Sequence, residues 1–326
     1  MKAVLCKQWG TPQDLVLEDF PAPTPQDNEV LIEVKATSVN FPDVLMIAGK
    51  YQAKPPFPFI PCGEVGGVIK AVGAQVKHLK VGQRVAALTG IGGMAEEVAV
   101  NAMAVVPIPD AMDFATAAAF MVVYGTSHVG LVHRAKLQKG ETLLVHGAGG
   151  GVGLSAVEIG HHLGAKVIAT ASSAEKLEAA RQKGADFLIN YEEEDFVEKV
   201  KEYTQGKGAD VIYDPVGGDV FDKSMKCIAW EGRLLVVGFA GGRIPQLSTN
   251  LVLLKGCSLV GLFWGNYMSK NPAVLVQSMM ELFKWYGEGH IKPLVSKNYP
   301  LEQYAQAMTD LLERKAIGKI VVTIGQ

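Results

Sequence analysis

Apolar and β-branched residues in the first third of the chain come in short runs separated by proline and glycine, at residues 30–34, 64–72, 84–88 and 97–100. Runs of that length, bounded by turn formers, predict the strands of a β-rich domain with long connections. The proline-dense stretches 20–25 and 55–61 are excluded from central strands, because proline donates nothing to a ladder. From residue 141 the texture changes. Short apolar runs at 142–146, 166–170, 187–189, 210–213, 233–237 and 258–263 alternate with helical stretches. That alternation predicts a doubly wound parallel sheet, covered on both faces. An amphipathic stretch at 274–286, a helix over 301–313 and a strand over 319–324 follow, and are expected to return to complete the first domain. The expected α/β architecture divides at 1–118 for the β-rich domain, 119–264 for the parallel-sheet domain and 265–326 for the return segment. Residues 114–132 hold no Asp, Glu, Lys or Arg and have the length of a membrane span, but Tyr124, Thr126, Ser127 and His128 put polar groups at their middle. One buried helix is expected there, and no membrane.

A chain of 326 residues with 48% hydrophobic and 20% charged content can bury two cores. Its 31 basic and 33 acidic side chains are spread along the sequence, which leaves no basic stripe for nucleic acid. Cys6, Cys62, Cys227 and Cys257 form no Cys-x-x-Cys pair, so neither a structural zinc lobe, a redox dithiol nor a disulfide framework is indicated. A reducing compartment follows as the expectation. Gln8, Asp14 and Glu18 interrupt the first segment before a signal-peptide core develops, and the cytoplasm is the expected location. His133, His161 and His162 fall in no metal spacing, and no Gly-x-Ser-x-Gly elbow occurs.

The chemistry concentrates after the apolar run 143–145, where the chain reads His146-Gly147-Ala148-Gly149-Gly150-Gly151-Val152-Gly153 and then continues as a helix up to Gly164. By itself such a stretch is a flexible turn; between a strand and a helix it reads as a dinucleotide-binding loop. In the pattern Ala-x-Gly-x-x-Gly, Ala148 makes the tight turn, Gly150 lets backbone approach a pyrophosphate, and Gly153 lets the helix pack on its strand. Gly149, Gly151 and Val152 complete the loop, and the helix N-terminus supplies unpaired amides to the phosphates. One strand later the sequence is Thr170-Ala171-Ser172-Ser173-Ala174-Glu175-Lys176. No acid stands at that strand end to hold a ribose 2′-hydroxyl. Ser172 and Lys176 offer a donor and a positive charge to a 2′-phosphate instead, so NADPH is expected over NADH. Ser172-x-x-Glu175 also reads as a capping box, which leaves the Lys176 side chain unused.

These motifs, with Asn40-Phe41-Pro42-Asp43, the stretch 61–73, Asn190-Tyr191, Asp214-Pro215-Val216-Gly217-Gly218 and Gly318-Lys319, resemble the zinc-independent, zeta-crystallin-like quinone oxidoreductases of the medium-chain dehydrogenase/reductase superfamily over essentially the whole chain. The resemblance implies a GroES-like β-rich catalytic domain, a Rossmann domain, bound NADPH and a homodimer. It implies Ser172, Lys176 and Tyr191 around the 2′-phosphate, Phe239 and Phe263 in the cofactor set, and Asn40, Asp43, Tyr51 and Thr126 beside the nicotinamide and substrate. Lys315 lies near a cofactor arginine of the family. Zinc-dependent members have Cys at the place of Asn40 and His at the place of Gly63. Cys62 alone cannot build a three-ligand zinc site and is read as a buried small residue.

With no Lewis acid to polarise a carbonyl, acceptors that stabilise added hydride themselves are expected, namely quinones and activated alkenes. Asn40 and Thr126 are expected to orient the reactants and Tyr51 to donate a proton or hydrogen bond. Phe239, Phe263 and Trp264 are candidate apolar walls for a flat acceptor. The alternatives are an enoyl-thioester or alkenal reductase of the same superfamily, and a non-enzymatic NADPH-binding protein of the crystallin or RNA-binding kind.

Overall fold

The computed structural model describes residues 1–325, and the chain divides into two units, Met1–Val122 with Pro293–Gln326, and Val123–Lys292. In the first unit a seven-stranded sheet places Val295–Pro300, Lys319–Thr323, Glu29–Val39, Glu64–Val72, Arg84–Leu88 and Val105–Pro107 side by side in that order, with Glu97–Asn101 also paired to Glu29–Val39. Buried and half-buried residues alternate along most of Glu29–Val39, as expected of a strand with one covered face. Its last residues are buried on both faces, which carries Ser38 and then Asn40 into the interior.

The second unit is built on six parallel strands in the order Phe187–Asn190, Lys166–Ala171, Thr142–Val145, Ala209–Asp214, Ile228–Val236, Ser258–Gly261. The expected continuous apolar runs have the burial they require: every residue of Ala209–Asp214 is buried. Leu144, Ile168, Ile189, Ile212 and Leu234 from five strands meet Phe196, Val200 and Phe221 from the covering helices. The strand order reverses between Thr142–Val145 and Ala209–Asp214, and the glycine loop leaves the sheet there, at the topological switch point where nucleotides bind in such folds.

Two expectations about organisation differ from the structure. Residues 114–132 form two helices, Phe114–Ala118 and Met121–His128, followed by a π-helical turn at Val129–Arg134. The first helix ends at Ala119, whose N–H is shared between the carbonyls of Ala115 and Thr116. The run spans the division at Val122, so its halves answer to different cores. Ala118 and Ala119 pack with Ala36 and Val321, while Gly125 lies under the rings of Trp264 and beside Met279. Likewise the helix Pro272–Gly287, expected to begin the return segment, belongs to the second unit, and the chain rejoins the first at Pro293. An amphipathic pattern says that a helix is covered, not by which sheet. Among the described residues no helix is long and apolar enough to cross a membrane.

Candidate functional site

The glycine loop departs in one detail from the expected division of labour. The left-handed residue of the turn is Gly147, at φ 58°, while Ala148 is buried and its N–H reaches the Thr170 carbonyl at 3.0 Å. Gly150 caps the helix Gly151–His162, and a β-carbon there would meet only the Gly147 carbonyl oxygen, at 3.4 Å, so the backbone is open to an approaching group. At Gly153 a β-carbon would lie 2.2 Å from the Gly147 oxygen, which is why the helix can leave the strand so closely.

His146, which the sequence reading did not single out, braces the loop. Its Nδ1 lies 3.0 Å from the Thr170 hydroxyl and its Nε2 2.9 Å from the Ser224 hydroxyl, tying three elements together. Full burial pushes its pKa down to about 3, so the ring is neutral. Asp214 performs a similar service at the next strand end, accepting the N–H groups of Val216 and Gly217 at 2.8 and 2.9 Å.

At the end of Lys166–Ala171 the cap of the following helix is Ser173, whose hydroxyl accepts the Lys176 N–H, and not Ser172 as the capping-box reading had it. That shift by one residue leaves the Ser172 hydroxyl to the Lys176 ammonium, 3.4 Å away. The methylenes of Lys176 lie across Gly149, so close that a β-carbon on Gly149 would be 2.7 Å from them. Tyr191, 37% exposed, is held by its N–H on the Ala171 carbonyl at 3.2 Å. The three residues expected around a 2′-phosphate therefore gather at one strand end, against the glycine loop. The ring of Phe239 lies over Gly217, in the turn that Asp214 organises. Phe263 lies just past the edge strand and is 47% exposed. Trp264 packs on Gly125 and serves the core. Half-buried Thr126 sits beside Ser127, whose hydroxyl lies 2.9 Å from Tyr213 Oη and from Ser155 Oγ.

In the first unit Asn40 opens the helix Phe41–Ile47, and Asp43 closes the turn by accepting the Asn40 N–H at 2.7 Å. Burial pushes the Asp43 carboxyl up to about 7, against the pull of the Asn40 N–H and of the Lys319 charge. The same carboxylate meets the Cys62 thiol, which burial raises well above its ordinary value. Cys62 is the buried small residue expected, in a left-handed conformation at φ 68°. Tyr51 is half-buried, its phenol raised by burial and then by the Asp43 charge. Two residues given no role from the sequence complete this group. Glu64 and Lys319 are 1% and 4% exposed and 3.3 Å apart. Lys315 pairs with Glu313 at the surface, at 2.5 Å.

Residues 26–110 match the family described as alcohol dehydrogenase GroES-like domain, and residues 151–284 the family described as zinc-binding dehydrogenase. The chain is 42% identical to a quinone oxidoreductase-like protein 2 homolog of Nematostella vectensis, covering 100% of this chain and 89% of that protein. It is 33% identical to quinone oxidoreductase of Homo sapiens, covering 99% and 98%. Among solved structures it resembles Escherichia coli quinone oxidoreductase complexed with NADPH, with a TM-score of 0.92, 30% identity, and 99% and 100% coverage. The first unit is thus the GroES-like domain and the second the Rossmann domain.

The description of the second family implies zinc, and the residues here do not fit it. A β-carbon at Gly63 would lie 2.7 Å from the Gly90 carbonyl oxygen, so the position has no room for a ligand side chain. Asn40 offers an amide already bonded at both ends, and the ammonium of Lys319 stands against Glu64. Among the described residues no three His, Cys, Asp or Glu side chains are gathered as a metal site.

Proposed function

The chain belongs to the quinone oxidoreductase family of the medium-chain dehydrogenases/reductases, and from that premise we propose that it reduces small quinones with hydride from NADPH, without a metal ion. The observation that carries this reading is the strand end at Ala171, where Ser172 and Lys176 converge beside Gly149 and no acid is present to repel a 2′-phosphate. Relatives whose structures are described as complexed with NADPH support it. The cradle fits the cofactor: Gly150 and the amides of the helix Gly151–His162 receive the pyrophosphate, and Ser172, Lys176 and Tyr191 the 2′-phosphate. When bound, the reduced nicotinamide supplies the hydride, and with one proton from the medium or from Tyr51 a quinone becomes a hydroquinone. Asp43 and Tyr51 in the first unit are proposed to serve the acceptor with polar groups, and Thr126, Phe239 and Phe263 in the second unit to serve the cofactor.

The buried, unpaired cysteines suit a reducing compartment such as the cytoplasm. A homodimer through the edge strand Ser258–Gly261 completes the reading.

The test is a panel of ortho- and para-quinones, alkenals and enoyl thioesters with each cofactor. The expected result is quinone reduction with NADPH preferred over NADH, and a Lys176→Ala enzyme whose NADPH Kd, measured by fluorescence, rises about 10-fold while its NADH Kd stays put. Equal use of both cofactors would refute the cofactor assignment. An enoyl thioester turned over about tenfold better than every quinone would replace the acceptor class.

A further inference from the structure

We propose that Lys319 is a positioning residue of the reduction: its buried ammonium locks Asn40 and Glu64 and so sets the orientation of the helix that carries Asp43. The inference deepens the quinone reductase reading and rests on it.

Lys319 opens the strand Lys319–Thr323, and the pairing of Ile320 with Val39 sets it beside the chain's exit into Asn40. From there the ammonium donates to the Val39 carbonyl at 3.3 Å and to Asn40 Oδ1, and it lies 3.3 Å from Glu64 Oε1. Glu64 in turn accepts from Ser38 Oγ, from Asn40 Nδ2 at 3.1 Å, and, on its other oxygen, from the Val122 N–H at 2.8 Å. The Asn40 side chain is thus held at both ends inside the protein, and its backbone N–H is held by Asp43. An amide so engaged, 8% exposed, transmits position. Burying an ion pair this completely carries a desolvation penalty, and an apolar pair of equal volume would stabilise the fold as well. What apolar residues cannot reproduce is the directed set of donors and acceptors that fixes Asn40.

The charge also reaches Asp43. The groups facing that carboxyl are the Asn40 N–H, the Cys62 thiol, Lys319, Glu64 and Tyr51. Lys319 draws its ionisation down and Glu64 pushes it up, so loss of the ammonium moves it to higher pH.

The experiment compares Lys319→Met and Lys319→Arg with the wild type on the best acceptor the wild type reduces, measuring kcat against pH, the NADPH Kd by fluorescence, and thermal unfolding. The expected outcome for Lys319→Met is a kcat at least about 10-fold lower, an NADPH Kd within about twofold of wild type, and a near-neutral step in the kcat profile displaced to higher pH, with most of the rate restored in Lys319→Arg. If Lys319→Met does not fold, the double variant Lys319→Met with Glu64→Gln leaves no unpaired carboxylate, and the same loss of kcat at unchanged Kd is expected of it. A wild-type kcat in a folded variant overturns the proposal. So does a loss confined to NADPH affinity, or a lower kcat with an unmoved profile and no recovery by arginine. A wild type that reduces other acceptors but no quinone refutes the quinone reading and leaves the role of Lys319 to be scored on the acceptor it does reduce.

Discussion

A shift of one residue changes what Ser172 can do. With Ser173 as the helix cap, the Ser172 hydroxyl and the Lys176 ammonium face each other, and a simple serine cap one position later replaces the capping box the sequence suggests. Such an offset is invisible to the spacing rule, which selects Ser172 because Glu175 stands three residues on, while the backbone is capped by the neighbouring Ser173. His146 shows a different limit: nothing in its neighbours marks a buried neutral imidazole, since its partners Thr170 and Ser224 are far away in the chain. Its folded pKa, about 3, is below the ordinary value of 6.5, so the unfolded chain binds a proton first as pH falls. The stabilisation from neutral His146 is therefore complete above pH 6.5 and is lost from there down to about 3. Asp43, raised to about 7, contributes a slope of opposite sign, so the wild type alone does not isolate the effect. The stability difference between wild type and His146→Asn is expected to shift against the wild type by about 1.4 kcal/mol per pH unit below 6.5, read from denaturant midpoints. A difference independent of pH between 6.5 and 4 would show that the ring does not stay neutral.

Among elements, the strand–loop–helix unit at residues 142–162 is where local and tertiary requirements agree most closely. Gly153 and Gly150 are both glycines of the fingerprint, yet the structure gives them separate duties. A β-carbon at Gly153 runs into backbone, whereas at Gly150 it finds ordinary contact distance. Gly153→Ala is therefore expected to cost about 1–3 kcal/mol of stability, as overpacking against rigid backbone does. Gly150→Ala is expected to leave the unfolding midpoint nearly unchanged while weakening NADPH at least about 10-fold, because its β-carbon would take the space proposed for the pyrophosphate. Chemical denaturation and fluorescence titration of the two variants check this pair. Equal loss of stability in both would mean that the loop is built for the fold alone.

On the scale of the whole molecule, the edge strand Ser258–Gly261 has, among the described residues, one neighbour in its sheet, and it carries exposed Leu259 at 41%. Leu253, Leu254 and Phe263, at 77%, 65% and 47%, add apolar surface on either side of it in sequence. In the proposed homodimer, a two-fold pairing of like strands would cover this edge and its flanking side chains in both copies at once. Light scattering at micromolar concentration is expected to give twice the chain mass, and Leu259→Lys to shift the protein toward monomer by placing a charge on the edge. A wild-type monomer would remove this interface.

The sequence by itself determined the two kinds of domain, most of the strands, and the glycine loop with no acid at the strand end that follows it. These are written in local periods and in contiguous motifs, which neighbouring residues can specify. Only the tertiary structure decided which sheet each apolar helix covers, that residues 114–132 break between two cores, and that Glu64 and Lys319 meet at Asn40. Those outcomes depend on pairs separated by tens to hundreds of residues, such as Lys319 with Asn40. A buried lysine there looks in sequence like any surface lysine until strand register brings its partners to it.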